Sequence, residues 1–152
     1  MIKLRNLFKS FGPKNVLRSL DLDINSGEIV VIKGKNGSGK TTLLKVLSTL
    51  EKPDDYDLAE VDGFDLVSNS EEIRSRVGFL SHNPPFYPEI SGLENLDFWL
   101  DLHPAEYGLD YASEMLAKVG LIMFKDDMAG NYSRGMIQRL GFVIAIAHSP
   151  TT

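Results

Sequence analysis

The chain has 152 residues, 43% of them hydrophobic and 24% charged, which are the proportions of one ordinary globular domain. A formal net charge of −5 argues against a non-specific nucleic-acid binder, whose surface needs an excess of cations to neutralise phosphates. The chain contains no cysteine, which excludes disulfides and thiolate metal sites.

Ile2, Leu4 and Leu7 nearly alternate with polar residues, the pattern of a half-buried strand. Val16, Leu20, Leu22 and Ile24 mark one face of a second strand. Gly12, Pro13 and Asn15 supply the turn between them, so an antiparallel pair is expected. Ser26-Gly27 then turns the chain into Glu28-Ile29-Val30-Val31-Ile32. This short β-branched run predicts a strand buried on both faces.

The pattern becomes helical after Gly39, where Leu43, Leu44, Val46, Leu47 and Leu50 recur at helical spacing. Short strands are expected at Leu58–Val61 and Val77–Leu80, with a brief helix around Glu71–Arg76. Ser91 and Glu94 have the spacing of a capping box, and Leu93, Leu96 and Leu100 line the helix that follows. A further helix is expected over Asp110–Val119, ended by Gly120. The last runs from about Ser133 to Ala147 and stops near Pro150. The longest apolar run, Gly141–Ala147, is far short of the roughly 20 residues a membrane span requires. The amino terminus has no apolar stretch of the signal-peptide kind. The element order predicts an α/β fold with an antiparallel N-terminal part and a helical segment.

Residues Gly34, Lys35, Asn36, Gly37, Ser38, Gly39, Lys40 and Thr41 match G-x-x-x-x-G-K-[ST] at every fixed position. The glycines let the backbone wrap a polyphosphate closely and turn its amides inward. The positive end of the following helix adds to the attraction. Lys40 is expected to reach the β- and γ-phosphates, Thr41 to coordinate Mg²⁺, and Thr42 to donate to the α-phosphate. These residues predict nucleoside triphosphate binding and leave the reaction open, since phosphate loops serve many enzymes.

The segment Asn131-Tyr132-Ser133-Arg134-Gly135-Met136, followed by Gln138-Arg139, resembles the signature of ATP-binding cassette (ABC) proteins, usually written LSGGQ. Alone, Ser133 reads first as a simple helix N-cap. With the phosphate loop upstream, the whole chain resembles an ABC nucleotide-binding domain: a P-loop NTPase (RecA-like) core, an antiparallel β-subdomain and a helical subdomain. Arg134 and Met136 depart from the common form and resemble haem-export, cytochrome c maturation and ABC-2-type exporter ATPases.

The resemblance implies ATP and Mg²⁺ as ligands and a second nucleotide-binding domain, commonly an identical copy, to which Ser133, Arg134 and Gly135 are offered in trans. It also implies a transmembrane permease subunit as partner and a cytoplasmic position on the inner face of the membrane. Lys9-Ser10-Phe11-Gly12 lies where the family places an aromatic that stacks on adenine, so Phe11 reads either as that ring or as a core residue at a strand end. His82 takes the place of the family's Q-loop glutamine, a metal contact, or it is a solvated loop histidine. Ile90–Leu96 resembles the entry to the helical subdomain, where Phe98 and Trp99 either dock a partner or fill the core.

The division expected is 1–82 for the β-subdomain and phosphate-loop core, about 83–132 for the Q-loop and helical subdomain, and 133–152 for the signature helix. The family's Walker B aspartate and catalytic glutamate would follow His148-Ser149-Pro150, so the expectation is a truncated domain that binds ATP with little turnover and folds marginally. The competing readings are a soluble, non-transport ABC-type ATPase and an ATP-dependent dimerisation module. A small-molecule kinase leaves Ser133–Leu140 unexplained.

Overall fold

A computed structural model describes residues 1–103 and 107–152. They divide into two compact units, Met1–Val77 with Thr152, and Gly78–Thr151.

The first unit is built on a four-stranded antiparallel sheet. Its strands are β1 (Ile2–Phe11), β2 (Lys14–Ile24), β3 (Leu58–Val61) and β4 (Phe64–Asp65), in the order β2-β1-β3-β4. Helices α1 (Lys40–Leu47) and α2 (Ser70–Arg74) complete it. The β1–β2 hairpin turns at Gly12-Pro13, with Gly12 at φ 57°, a left-handed angle that glycine adopts without steric cost.

The β1–β2 register shifts between Leu4 and Leu7, where Asn6 takes φ 53° and Ser19 φ 49°. Asn6 N–H donates to Asp21 and Ser19 Oγ donates to Asn6 Oδ1, each over 2.7 Å. Such a bulge changes which side chains face the core, and Leu17 is buried there while Val16 is only partly so. Leu43, Val46 and Leu47 of α1 meet Leu4, Leu7 and Ala59 of the sheet in one apolar cluster. Leu44 and Leu50, read from the sequence as part of the same face, are exposed.

Two expected strands are absent among the described residues. Glu28–Ile32 carries no sheet pairing, and Ile29 is 96% exposed. Val77–Leu80 is likewise unpaired. Their composition favours extended backbone, but a strand buried on both faces needs a ladder on each side. The described sheet runs from β2 to β4 without either segment.

The second unit packs α3 (Gly92–Asp101), α4 (Leu109–Lys118) and α5 (Arg134–Ile146) around Leu96, Leu100, Leu116, Leu121, Leu140 and Val143. The capping box is present at α3: Ser91 N–H donates to Glu94 Oε2 over 2.8 Å, and Glu94 N–H to Ser91 Oγ over 3.1 Å. Helix α4 ends at Gly120, φ 69°, with Gly120 N–H on Ala117 O and Leu121 N–H on Leu116 O. That is the paired pattern of a Schellman cap. Asn95 is fully buried and satisfied: Oδ1 accepts from Tyr87 N–H over 2.7 Å, and Nδ2 donates to Tyr87 O and Ser91 O, each over 2.9 Å. It ties the proline-rich loop before α3 to the helix start.

Candidate functional site

In the first unit, a cavity of about 590 Å³ is lined by Phe11, Lys14, Val16 and Asn36–Thr42. That volume lies within the range of small-molecule sites, about 300–1,000 Å³. The hairpin supplies one wall, because its register sets Phe11 directly opposite Lys14. The loop and the first turn of α1 supply the other.

The loop is drawn around the lysine it precedes. Lys40 Nζ donates to Gly34 O over 2.8 Å and to Lys35 O over 2.9 Å, and Ser38 N–H donates to Lys35 O over 3.2 Å. A Cβ at residue 34 would lie 2.7 Å from Ser38 Oγ, so a side chain there would turn the Ser38 hydroxyl away. Gly39 stands at φ 94°, and a Cβ there would lie 2.9 Å from Val16 Cγ1 and 3.2 Å from Val16 O. Position 39 is therefore closed to other residues twice over, by angle and by space.

Helix α1 begins at Gly39 with no side-chain cap and no acidic residue in its first turn. Its leading amides lack intrahelical acceptors and its positive end is not neutralised. Together with the Lys40 ammonium, this is a cradle for a polyanion. Thr41 lines the same cavity, and its hydroxyl is the hard oxygen that Mg²⁺ takes. Among the described lining residues there is no carboxylate. Phe11 is 47% exposed, and its place on the cavity wall excludes a core role.

Six predicted loop residues beyond the first two, Asn36 to Thr41, thus share one concavity with Thr42 and Phe11, while Gly34 and Lys35 contribute carbonyls. Lys14 and Val16 also line it and were not foreseen. Their signal was the two-residue hairpin turn, which fixes what faces Phe11.

In the second unit, Ser133 is the N-cap of α5, its Oγ accepting from Met136 N–H over 3.3 Å. The hydroxyl proton remains available to donate, and Arg134 and Gly135 open the helix. Arg134 Nη2 lies 3.5 Å from His82 Nε2. A guanidinium only donates, so a hydrogen bond between the two needs the imidazole nitrogen as acceptor. Gln138, quoted above only as part of the signature segment, donates its Nε2–H to His82 O over 2.8 Å. A smaller recess of about 330 Å³ is lined by Asn83, Pro84, Phe86, Arg134, Ile137 and Gln138. Phe98 is 40% exposed and meets Tyr87 and Trp99 edge-on at 5.0 and 5.7 Å.

Residues 17–152 match the family model described as ABC transporter. The chain is 36% identical, over 99% of its length, to the uncharacterized ABC transporter ATP-binding protein YdbJ of Bacillus subtilis, of which it covers 48%. It is 33% identical, over 91% of its length, to the cytochrome c biogenesis ATP-binding export protein CcmA of Haemophilus influenzae, covering 65% of that protein. Among solved structures, the dimeric post-hydrolysis state of the ATP-binding cassette MJ0796 bound to ADP and Pi superposes with a TM-score of 0.85 at 27% identity. That match covers 99% of this chain and 71% of the other. The chain spans about half the length of the first curated relatives it matches.

Proposed function

The chain belongs to the ABC transporter family of ATP-binding proteins, with the P-loop NTPase fold of its structural neighbours, and from that membership we propose that residues 34–42 bind Mg·ATP. The observation that carries this is the Lys40 ammonium, held by two loop carbonyls at the uncapped start of α1. When triphosphate enters, Lys40 exchanges those carbonyls for β- and γ-oxygens, a charge-assisted contact of greater strength. Thr41 turns its hydroxyl to the Mg²⁺ that neutralises the same oxygens, and Thr42 donates to the α-phosphate. Phe11 receives the base on its ring.

Ser133, Arg134 and Gly135 act on a second copy. Their hydroxyl, guanidinium and leading amides meet the γ-phosphate held by the partner's phosphate loop, so nucleotide draws two domains together. His82 stands as the contact between nucleotide state and the loop that follows it. The full-length protein is an energy-coupling ATPase for a membrane permease, working on the cytoplasmic face. No described helix is long and apolar enough to cross a membrane. The Ser-Arg-Gly-Met variant favours export, in keeping with the likeness to the export protein CcmA.

Titration of Mg·ATP into the parent chain and the Lys40→Ala variant tests the reading. A lost hydrogen bond to a charged group is worth about 1.5–3 kcal/mol, so affinity falls at least tenfold. Unchanged affinity overturns the assignment.

A further inference from the structure

We propose that Lys9 is a positioning residue for nucleotide binding: held by two carboxylates, it carries its ammonium against the Phe11 ring and sets that ring as a platform for a purine. The inference rests on the phosphate-loop reading and extends it to the base.

Lys9 Nζ lies 5.2 Å from the Phe11 ring centroid, within the range of a cation–π contact. Its side chain is only 12% exposed, unusual for lysine. Asp54 Oδ1 accepts from Nζ over 3.2 Å, and Glu51 Oε2 lies 3.9 Å away. Asp54 also accepts Ser10 N–H through Oδ2 over 2.6 Å. One carboxylate therefore fixes both the backbone just before Phe11 and the cation against its ring. The Ser10 amide holds the Asp54 carboxyl below its ordinary range, with Lys9 adding to the effect.

The strand end is braced again by Phe8 N–H on Asp55 O over 2.8 Å and Asp54 N–H on Phe8 O over 2.9 Å. Residues 51–55 follow α1 almost directly. The helix whose start cradles phosphate thus leads into the loop that fixes the aromatic, which makes the spacing between phosphate and base sites a property of rigid parts.

Phe11 lines the cavity and Lys9 is not among its lining residues, so the proposal assigns one ring face to the ammonium and the other to the ligand. A cation there draws π density away from the opposite face. Two stacked π-systems repel through their negative faces, and a depleted face receives an electron-rich purine better. With two carboxylates beside it, Lys9 presents little net charge to a polyphosphate. Its effect is confined to ligands that carry a base.

The test compares Mg·ATP with Mg·tripolyphosphate by calorimetric titration into the parent chain, Lys9→Met, Lys9→Arg and Phe11→Ala. Loss of base stacking in Phe11→Ala weakens ATP about tenfold, and loss of the cation in Lys9→Met weakens it about threefold. Tripolyphosphate affinity stays at the parent value in both, which also certifies that the site is folded. Lys9→Arg restores ATP affinity, because the cation is kept. Equal weakening of both ligands in Lys9→Met makes Lys9 a merely structural residue and overturns the proposal, as does an unchanged ATP affinity. If the parent chain fails to bind tripolyphosphate, the phosphate-loop reading falls and takes this inference with it. If tripolyphosphate binds as tightly as ATP, only the inference falls.

Discussion

Helices α1 and α5 begin in opposite ways. Behind α1 stands Gly39, in a left-handed conformation and with no side chain to offer. Behind α5 stands Ser133, extended, with its Oγ taking the Met136 amide over 3.3 Å. The first start leaves its orphan amides unsatisfied inside a walled cavity, where a lysine completes the positive charge. The second is satisfied within its own turn and keeps only a hydroxyl proton, an arginine and its remaining amides for others. An anion can be held by the first alone. The second is suited to finishing a site whose main contacts lie elsewhere. Glycine at a helix start and serine at a helix start are both common, and the difference in function lies in what surrounds them.

The contrast breaks most severely at Gly39. A Gly39→Ala substitution forces an L-residue to φ 94° and drives its Cβ to 2.9 Å from Val16 Cγ1. Left-handed strain and overpacking together cost about 2–4 kcal/mol, and the first turn of α1 leaves its position. Denaturant melts read the destabilisation, and Mg·ATP titration reads the loss of binding. A variant as stable and as competent as the parent would show that the cradle tolerates a side chain.

At α5 the expected effect is smaller. Removing the cap in Ser133→Ala costs about 1 kcal/mol and leaves the nucleotide affinity of the unpaired chain at residues 34–42 untouched. Ser133→Asp sharpens the comparison, because it keeps a cap acceptor while placing a carboxylate where the proposal needs a phosphate. Stability is retained in that variant, and ATP-driven pairing, read by light scattering, is lost. Pairing that survives Ser133→Asp would confine Ser133 to capping.

What could be read from sequence follows how local each determinant is. The position of Gly34–Thr41, as a loop wrapped before a helix, was legible because the motif's spacing specifies that local geometry. The Ser91–Glu94 box and the Gly120 stop were legible because both are settled within one turn of helix. Family resemblance supplied Phe11, and the hairpin register then set it on the cavity wall. Val16 was expected to share a face with Leu20, yet Leu17 is the buried residue. The bulge at Asn6 and Ser19 shifts the register, and a one-residue slip exchanges faces. The run Glu28–Ile32 misled because β-branched composition reports a preference for extended backbone, while pairing depends on segments remote in sequence. The contact that Gln138 makes was not legible for the same reason, since its partner carbonyl on His82 lies 56 residues away.

The smallest predicted effect separates the two units by pH. His103 stacks on His148 with centroids 4.0 Å apart and planes at 6°, and its N–H donates to Leu100 O in the last turn of α3. Burial holds its imidazole below the ordinary histidine range. The unfolded chain therefore binds a proton before the folded chain does, and stability falls with pH wherever that holds. The loss begins as pH drops through the ordinary value of about 6.5 and levels off below the lowered folded value. Glu94 and Asp54 are both shifted downward by the amides they accept, those of Ser91 and Ser10, so their stabilisation persists through this window and is lost only in stronger acid. Hydrogen exchange at the end of α3 should quicken between neutrality and mild acid while α1 amides hold steady. His103→Phe keeps a stacking ring without a titrating nitrogen and should flatten the response. A pH profile unaltered by that substitution would move the origin of the effect away from His103.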